Sequence, residues 1–148
     1  MNNSITKKMV NGLAALLADT YTLYLKTQNF HWHVTGPHFH SLHSMFEEEY
    51  TALASAVDEI AERIRSLGHP APATFQEFLK LTSLKEEMRT PAAGDMVKKL
   101  LHDHELIVQH ISKILPAAQD AKDEATVDLL IKRTEFHEKT AWMLRSSM

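Results

Sequence analysis

Apolar residues return every three or four positions along most of this chain, the spacing of amphipathic helices. The first such stretch covers about 6–34 and carries Val10, Leu13, Leu16, Leu17, Tyr21 and Tyr24 on its buried stripe. Residues 1–8 before and at its start are a short polar run. Thr35-Gly36-Pro37 breaks the pattern, with glycine freeing the backbone and proline suited to open the next helix. A second stretch, 41–67, repeats Leu42, Phe46, Leu53, Val57, Ile60, Ile64 and Leu67, and Gly68 with Pro70 ends it. Thr90-Pro91 reads as the cap and first turn of a third long helix, with the stripe Val97, Leu100, Leu101, His104, Ile107, Val108, Ile111 and Leu115. Pro116, Ala117 and Ala118 are expected to close it. The acidic run at 120–124 should open a fourth, with Val127, Leu130, Ile131, Thr134, His137, Ala141 and Leu144 inward. Between the second and third, residues 74–79 form a short helical piece presenting Phe75, Phe78 and Leu79. No stretch alternates like a strand. The expected fold is all-α: a four-helix bundle with a short extra helix in the crossover between helices two and three.

Composition narrows this further. The 148 residues suit a single domain, 1–148, with one sizeable core. Cysteine is absent, so disulfides and thiolate metal sites are excluded. The net charge of −3 argues against a chain built mainly to neutralise phosphates. Neither a signal peptide nor a membrane-spanning apolar run is apparent, and a cytoplasmic location is the simplest expectation.

The candidate chemistry lies between positions 31 and 62. Five of the ten histidines fall at His31, His33, His38, His40 and His43, and Glu47, Asp58 and Glu62 follow. Imidazole with carboxylate suits iron, zinc, copper or manganese better than calcium or magnesium. The turn at 35–37 folds His31 and His43 toward each other, and His43 and Glu47 share a helix face. His43 and Asp58 are 15 positions apart, however, about 22 Å along a straight helix. These residues therefore make either two separate half-sites or one site completed by a second copy of the chain in a two-fold dimer. No histidine has a glutamate three residues before it, so the Glu-x-x-His pairs of an intra-subunit di-iron bundle are missing. His33, His38 and His40 read as solvated loop residues, and His104 as a core histidine with a hydrogen-bond partner.

At these positions the chain resembles the Dps proteins, mini-ferritins of the ferritin-like superfamily named as DNA-binding proteins from starved cells. The resemblance rests on His31-Trp32, Gly36, Phe39, Leu42-His43, Phe46-Glu47, Tyr50, Asp58 and Ala61-Glu62-Arg63, and extends more loosely to Trp142-Met143-Leu144-Arg145. It implies a ferroxidase site across a dimer interface, with His31, His43 and Glu47 from one subunit and Asp58 and Glu62 from its neighbour. His31, His43, Asp58 and Glu62 would be the catalytic set; the position of Glu47 is often aspartate in the family. The resemblance further implies ferrous iron as the metal, with zinc or manganese as alternatives in the same site. Hydrogen peroxide or oxygen would be the oxidant, and a homododecamer of tetrahedral symmetry the mineral store. Trp32 reads as an interface packing residue, or as the family's radical-accepting tryptophan beside the iron. Asp120, Asp123, Glu124 and Asp128 read either as helix capping with solvated charge or, as the resemblance implies, as the lining of an iron-entry pore.

Three functions compete on the sequence. The first is an iron-oxidising, iron-storing shell that protects against oxidative damage. The second is a nucleoid DNA-binding stress protein with secondary metal chemistry. The third is a bundle holding a structural zinc, which the mixed ligand set disfavours. DNA-binding relatives commonly use lysine-rich tails. Here only Lys7 and Lys8 precede the first stripe and the other end reads Arg145-Ser146-Ser147-Met148, so DNA binding is expected to be weak or absent.

Overall fold

The computed structural model describes residues 3–148, whose order is α1 (Asn3–His33), α2 (Phe39–Ser66), α3 (Phe75–Leu81), α4 (Ala93–Asp120) and α5 (Glu124–Arg145). No strand occurs among the described residues. The bundle with its short crossover helix is therefore as expected. The polar start is already helical from Asn3, and Met1 and Asn2 lie outside the described residues.

Side-chain contacts at separated positions fix the directions of α2 and α4 against α1. Phe30 meets Phe46 at 6.4 Å between ring centroids and Tyr24 meets Tyr50 at 5.9 Å, so α2 returns antiparallel along α1. Gly12 sits against Ile114 and Lys26 pairs with Asp103, which sets α4 antiparallel to α1. A Cβ on Gly12 would lie 2.8 Å from the Ile114 side chain, so this crossing is close because no side chain intervenes. Phe30, Phe46, Met9, Leu13, Leu53, Ile60, Ile64 and Leu100 are fully buried between the helices. Some of the polar groups inside are paired locally: Thr20 and Thr27 donate to the carbonyls of Leu16 and Leu23, both at 2.7 Å.

His104, on the inward stripe of α4, is fully buried against His137 of α5, Nδ1 to Nδ1 at 2.8 Å. One imidazole must donate and the other accept, so the two are a neutral pair. Burial pushes His104 down to about 3 and carries His137 well below its usual value too, with the neighbouring charge of Arg133 acting the same way on both.

Three local expectations are corrected. Thr90-Pro91 does not start α4, which begins at Ala93 behind an extended Ala92 with no side-chain cap. The approach is held instead by Lys26 donating to the Lys85 carbonyl at 2.9 Å and by Glu87 paired with Lys99 at 2.8 Å. Pro116 does not end α4, which runs on to Asp120. A proline there loses one intrahelical hydrogen bond. Ala117 and Ala118 are nevertheless buried, and the carbonyls of 117, 118 and 119 accept from Ala121, Asp123 and Lys122. Ile131 is exposed, one position off the stripe of Leu130, Arg133, His137 and Ala141. Asp123, read from the sequence as either a helix cap or a pore acid, is buried and caps α5, its side chain accepting from the Thr126 N–H.

Candidate metal centre

Two histidines from different helices close on one another at the α1–α2 turn. His31 lies in the last turn of α1 and His43 in the second turn of α2. Gly36 makes the reversal possible, with φ of +115°, a conformation that any side chain would strain. The rings stack with centroids 3.8 Å apart and planes 13° from parallel. Each Nδ1 is 2.7 Å from the backbone carbonyl of the other histidine. A carbonyl only accepts, so both Nδ1 atoms carry the proton and donate. In the neutral rings this leaves the lone pair on Nε2 in both, and among the described residues neither Nε2 has a hydrogen bond. That is the tautomer a metal ligand needs, fixed by an outer hydrogen bond.

The surroundings are partly apolar. Phe39 stacks on His43 at 4.9 Å, and Tyr50 sets its ring against His31 at 5.2 Å. His31 is buried while His43 is half-buried. Glu47, one helical turn after His43, brings Oε1 to 3.8 Å from His31 Nε2, beyond hydrogen-bond length. Of the expected ligands, His31 and His43 thus meet within one chain, and Glu47 comes near His31 alone.

Asp58 and Glu62 do not join them. Both are exposed on α2, which runs unbroken from Phe39 to Ser66, so the separation of about 22 Å between positions 43 and 58 stands. Among the described residues no three histidine, aspartate or glutamate side chains of one chain are placed to hold an ion. Next to Glu62, Arg63 locks this end of α2 to α5. Its Nη2 donates to both oxygens of Asp123 at 3.1 Å and its Nε to Thr126 Oγ1 at 3.0 Å. Burial alone would raise the Asp123 carboxyl, but donation from Thr126 and Arg63 holds it below its usual range. Asp120, Glu124 and Asp128 remain exposed, Asp128 with Lys132 at 3.2 Å.

Of the other residues singled out in the sequence, Trp32 is 59% exposed and makes no ring contact with His31 or His43 among the described residues. His38 and His40 are exposed, and His33 donates locally to Asn29. Sequence reasoning assigned no role to Arg63, Tyr50 or Glu49. Arg63 and Tyr50 stood in the recognised motif, whereas Glu49 gave no sign of itself beyond lying on the same helix face as Leu42, Phe46 and Leu53.

Comparison with known proteins bears on the family and the fold. A ferritin-like domain model matches residues 10–148. The chain is 40% identical over 142 residues to DNA protection during starvation protein 2 of Bacillus anthracis, covering 96% of this chain and 97% of that one. The crystal structure of a Dps protein from Bacillus brevis superposes with a TM-score of 0.95 at 36% identity, over 99% of this chain and 98% of its own. A Vibrio cholerae Dps protein, described as a member of a broad superfamily of ferritin-like diiron-carboxylate proteins, gives 0.94 at 31% identity, over 99% and 92%.

Proposed function

Because this chain belongs to the Dps family of ferritin-like proteins, we propose that it oxidises ferrous iron at sites shared between two subunits and stores the ferric product. The observation that carries the reading is the pair of reciprocal Nδ1–carbonyl bonds, which leave two imidazole Nε2 lone pairs beside Glu47. The gap of 3.8 Å between His31 Nε2 and Glu47 Oε1 suits a cation bonded to each at about 2.1 Å. Imidazole and carboxylate are ligands that iron accepts.

One chain supplies only half of a site. A two-fold pairing with α2 antiparallel to its mate would bring Asp58 and Glu62 of the partner subunit to His31, His43 and Glu47, twice per dimer. Iron is substrate here, and the residues bind, orient and balance its charge. Three carboxylates stabilise the ferric state more than the ferrous one, which favours loss of an electron to bound oxidant. We take hydrogen peroxide as the preferred oxidant: two ferrous ions reduce one peroxide to water, so the pair of reactants that generates hydroxyl radical disappears together. The assembly that would hold the mineral is a hollow dodecamer, with Asp120, Glu124 and Asp128 as exposed acidic residues available to an entry route.

Mixed assemblies test the shared site. Subunits carrying His31→Ala and His43→Ala are refolded with subunits carrying Asp58→Ala and Glu62→Ala, and iron oxidation is followed by absorbance. Each homogeneous variant should be slow and the mixture should regain activity, since some interfaces combine the two intact halves. Verified mixed dimers without regained activity would show that the site is not shared. Light scattering on the native protein should give a particle about twelve times the chain mass.

A further inference from the structure

His31 touches a second aromatic ring besides His43, and that ring begins a chain. Tyr50 of α2 stands at 5.2 Å from His31 with its plane at 67°. Tyr24 of α1 follows at 5.9 Å from Tyr50, and Tyr21 at 5.8 Å from Tyr24. Tyr21 then stacks on Phe78 of α3 at 4.8 Å. Every step is within the range of direct aromatic contact. The three tyrosines are half-buried along the seam where α1 and α2 pack, so rigid helices fix their spacing. Phenol and indole are the side chains of this protein most easily oxidised by one electron. The nearest indole, Trp32, adjoins His31 in sequence but lacks, within the chain, the ring contact that Tyr50 has.

Resting on the iron-oxidising reading above, we propose that Tyr50 is a redox-active residue of the site, supplying peroxide with its second electron when only one ferrous ion is bound. Peroxide needs two electrons to become water. A single ferrous ion gives one, and the remaining half of the molecule then leaves as hydroxyl radical. Tyr50 prevents this by giving up an electron and its phenolic proton. One ferrous ion, one tyrosine, one peroxide and one proton from water become one ferric ion, one tyrosyl radical and two waters. The next ferrous ion returns an electron, and water a proton, to restore the phenol. The sum equals the two-iron reaction. Tyr24 and Tyr21 extend the path, allowing the radical to leave the immediate neighbourhood of the oxidant.

The test uses native assembled protein given one ferrous ion per site, then hydrogen peroxide, frozen rapidly and examined by electron paramagnetic resonance. Iron oxidation is measured in the same wild-type samples. A radical should appear whose hyperfine pattern narrows in protein grown on ring-deuterated tyrosine and is unchanged by ring-deuterated tryptophan. In Tyr50→Phe, which keeps the ring, the signal should fall several-fold and spin-trapped hydroxyl radical should rise, with sedimentation checking that the assembly forms. In Tyr24→Phe the initial signal should remain and its lifetime change. A signal insensitive to deuterated tyrosine, or no signal while wild type consumes iron, overturns this role for Tyr50 and leaves the iron reading standing. If wild type does not oxidise iron with peroxide, both readings fall.

Discussion

Glu49 offers a test of the core that is independent of iron. It lies on the inward face of α2 between Phe46 and Leu53, is 3% exposed, and neither carboxyl oxygen has a hydrogen-bond partner. Burial, aided by the negative charge of Glu48, lifts its carboxyl from 4.5 to about 8. The folded chain therefore keeps a proton that the unfolded chain releases above 4.5. Stability at this position falls as pH rises from 4.5 to about 8 and is level above that. Glu49→Gln preserves the shape and cannot ionise, so it removes the slope. Its own buried amide adds a cost that does not vary with pH. At about 1.36 kcal/mol per pH unit, the variant's stability relative to wild type should rise by roughly 2.5 kcal/mol between pH 5 and pH 7. For a chain of this size that is about 5–10 °C in melting temperature. Thermal unfolding of both proteins by circular dichroism, at matched protein concentration and salt, reads the difference directly. Matching matters because assembly makes the midpoint depend on concentration. Histidine titration is common to both and cancels. A melting-temperature difference that stays constant or narrows from pH 5 to pH 7 would refute the protonated buried carboxyl.

Two further outcomes are expected. Lys26 and Asp103 form an ion pair at 2.8 Å with side chains 7% and 6% exposed, so Lys26→Met should cost about 3–5 kcal/mol in urea unfolding by stranding the carboxylate. The double variant Lys26→Met with Asp103→Leu should recover most of that, and failure to recover would mean that packing rather than charge dominates. For DNA, Lys7 and Lys8 lie within α1 and twelve chains would carry about −36 in net charge, so little duplex should be retained near physiological salt. A mobility-shift assay without divalent ions checks this, and tight complexes at that salt would contradict it.

The α1–α2 hairpin was legible in the sequence because its signals are local and redundant. Thr35-Gly36-Pro37 can hardly continue a helix, and the stripes on either side leave no choice of face. The meeting of His31 with His43 follows from that turn alone. The reciprocal backbone bonds did not follow, since they depend on how closely two helices cross. The errors at Thr90-Pro91 and Pro116 share one cause. Proline restricts its own φ and withholds one donor, but whether a helix begins or ends there is decided by distant partners, here Lys26, Lys99 and the buried Ala117 and Ala118. Asp123 looked like one acid among several until Arg63, sixty positions earlier, arrived beside it. Glu49 was unreadable because a charged residue on an apolar stripe gives no hint of whether it turns outward or stays in.

The unbroken run of α2 has one more implication. Between Glu47 and Asp58 it is a stiff ruler with no glycine or proline to absorb an error. Adding or deleting one residue there would leave the histidine pair untouched. It would nonetheless rotate Asp58 and Glu62 by about 100° and shift them about 1.5 Å along the axis. Seven added residues would nearly restore the rotation but lengthen the ruler by about 10 Å. In a two-fold pair the same displacement enters from both chains, so each mismatch counts twice. With the site shared as proposed, the length of this one segment would set the register between subunits, and it could drift only if both halves of a site were rebuilt at once.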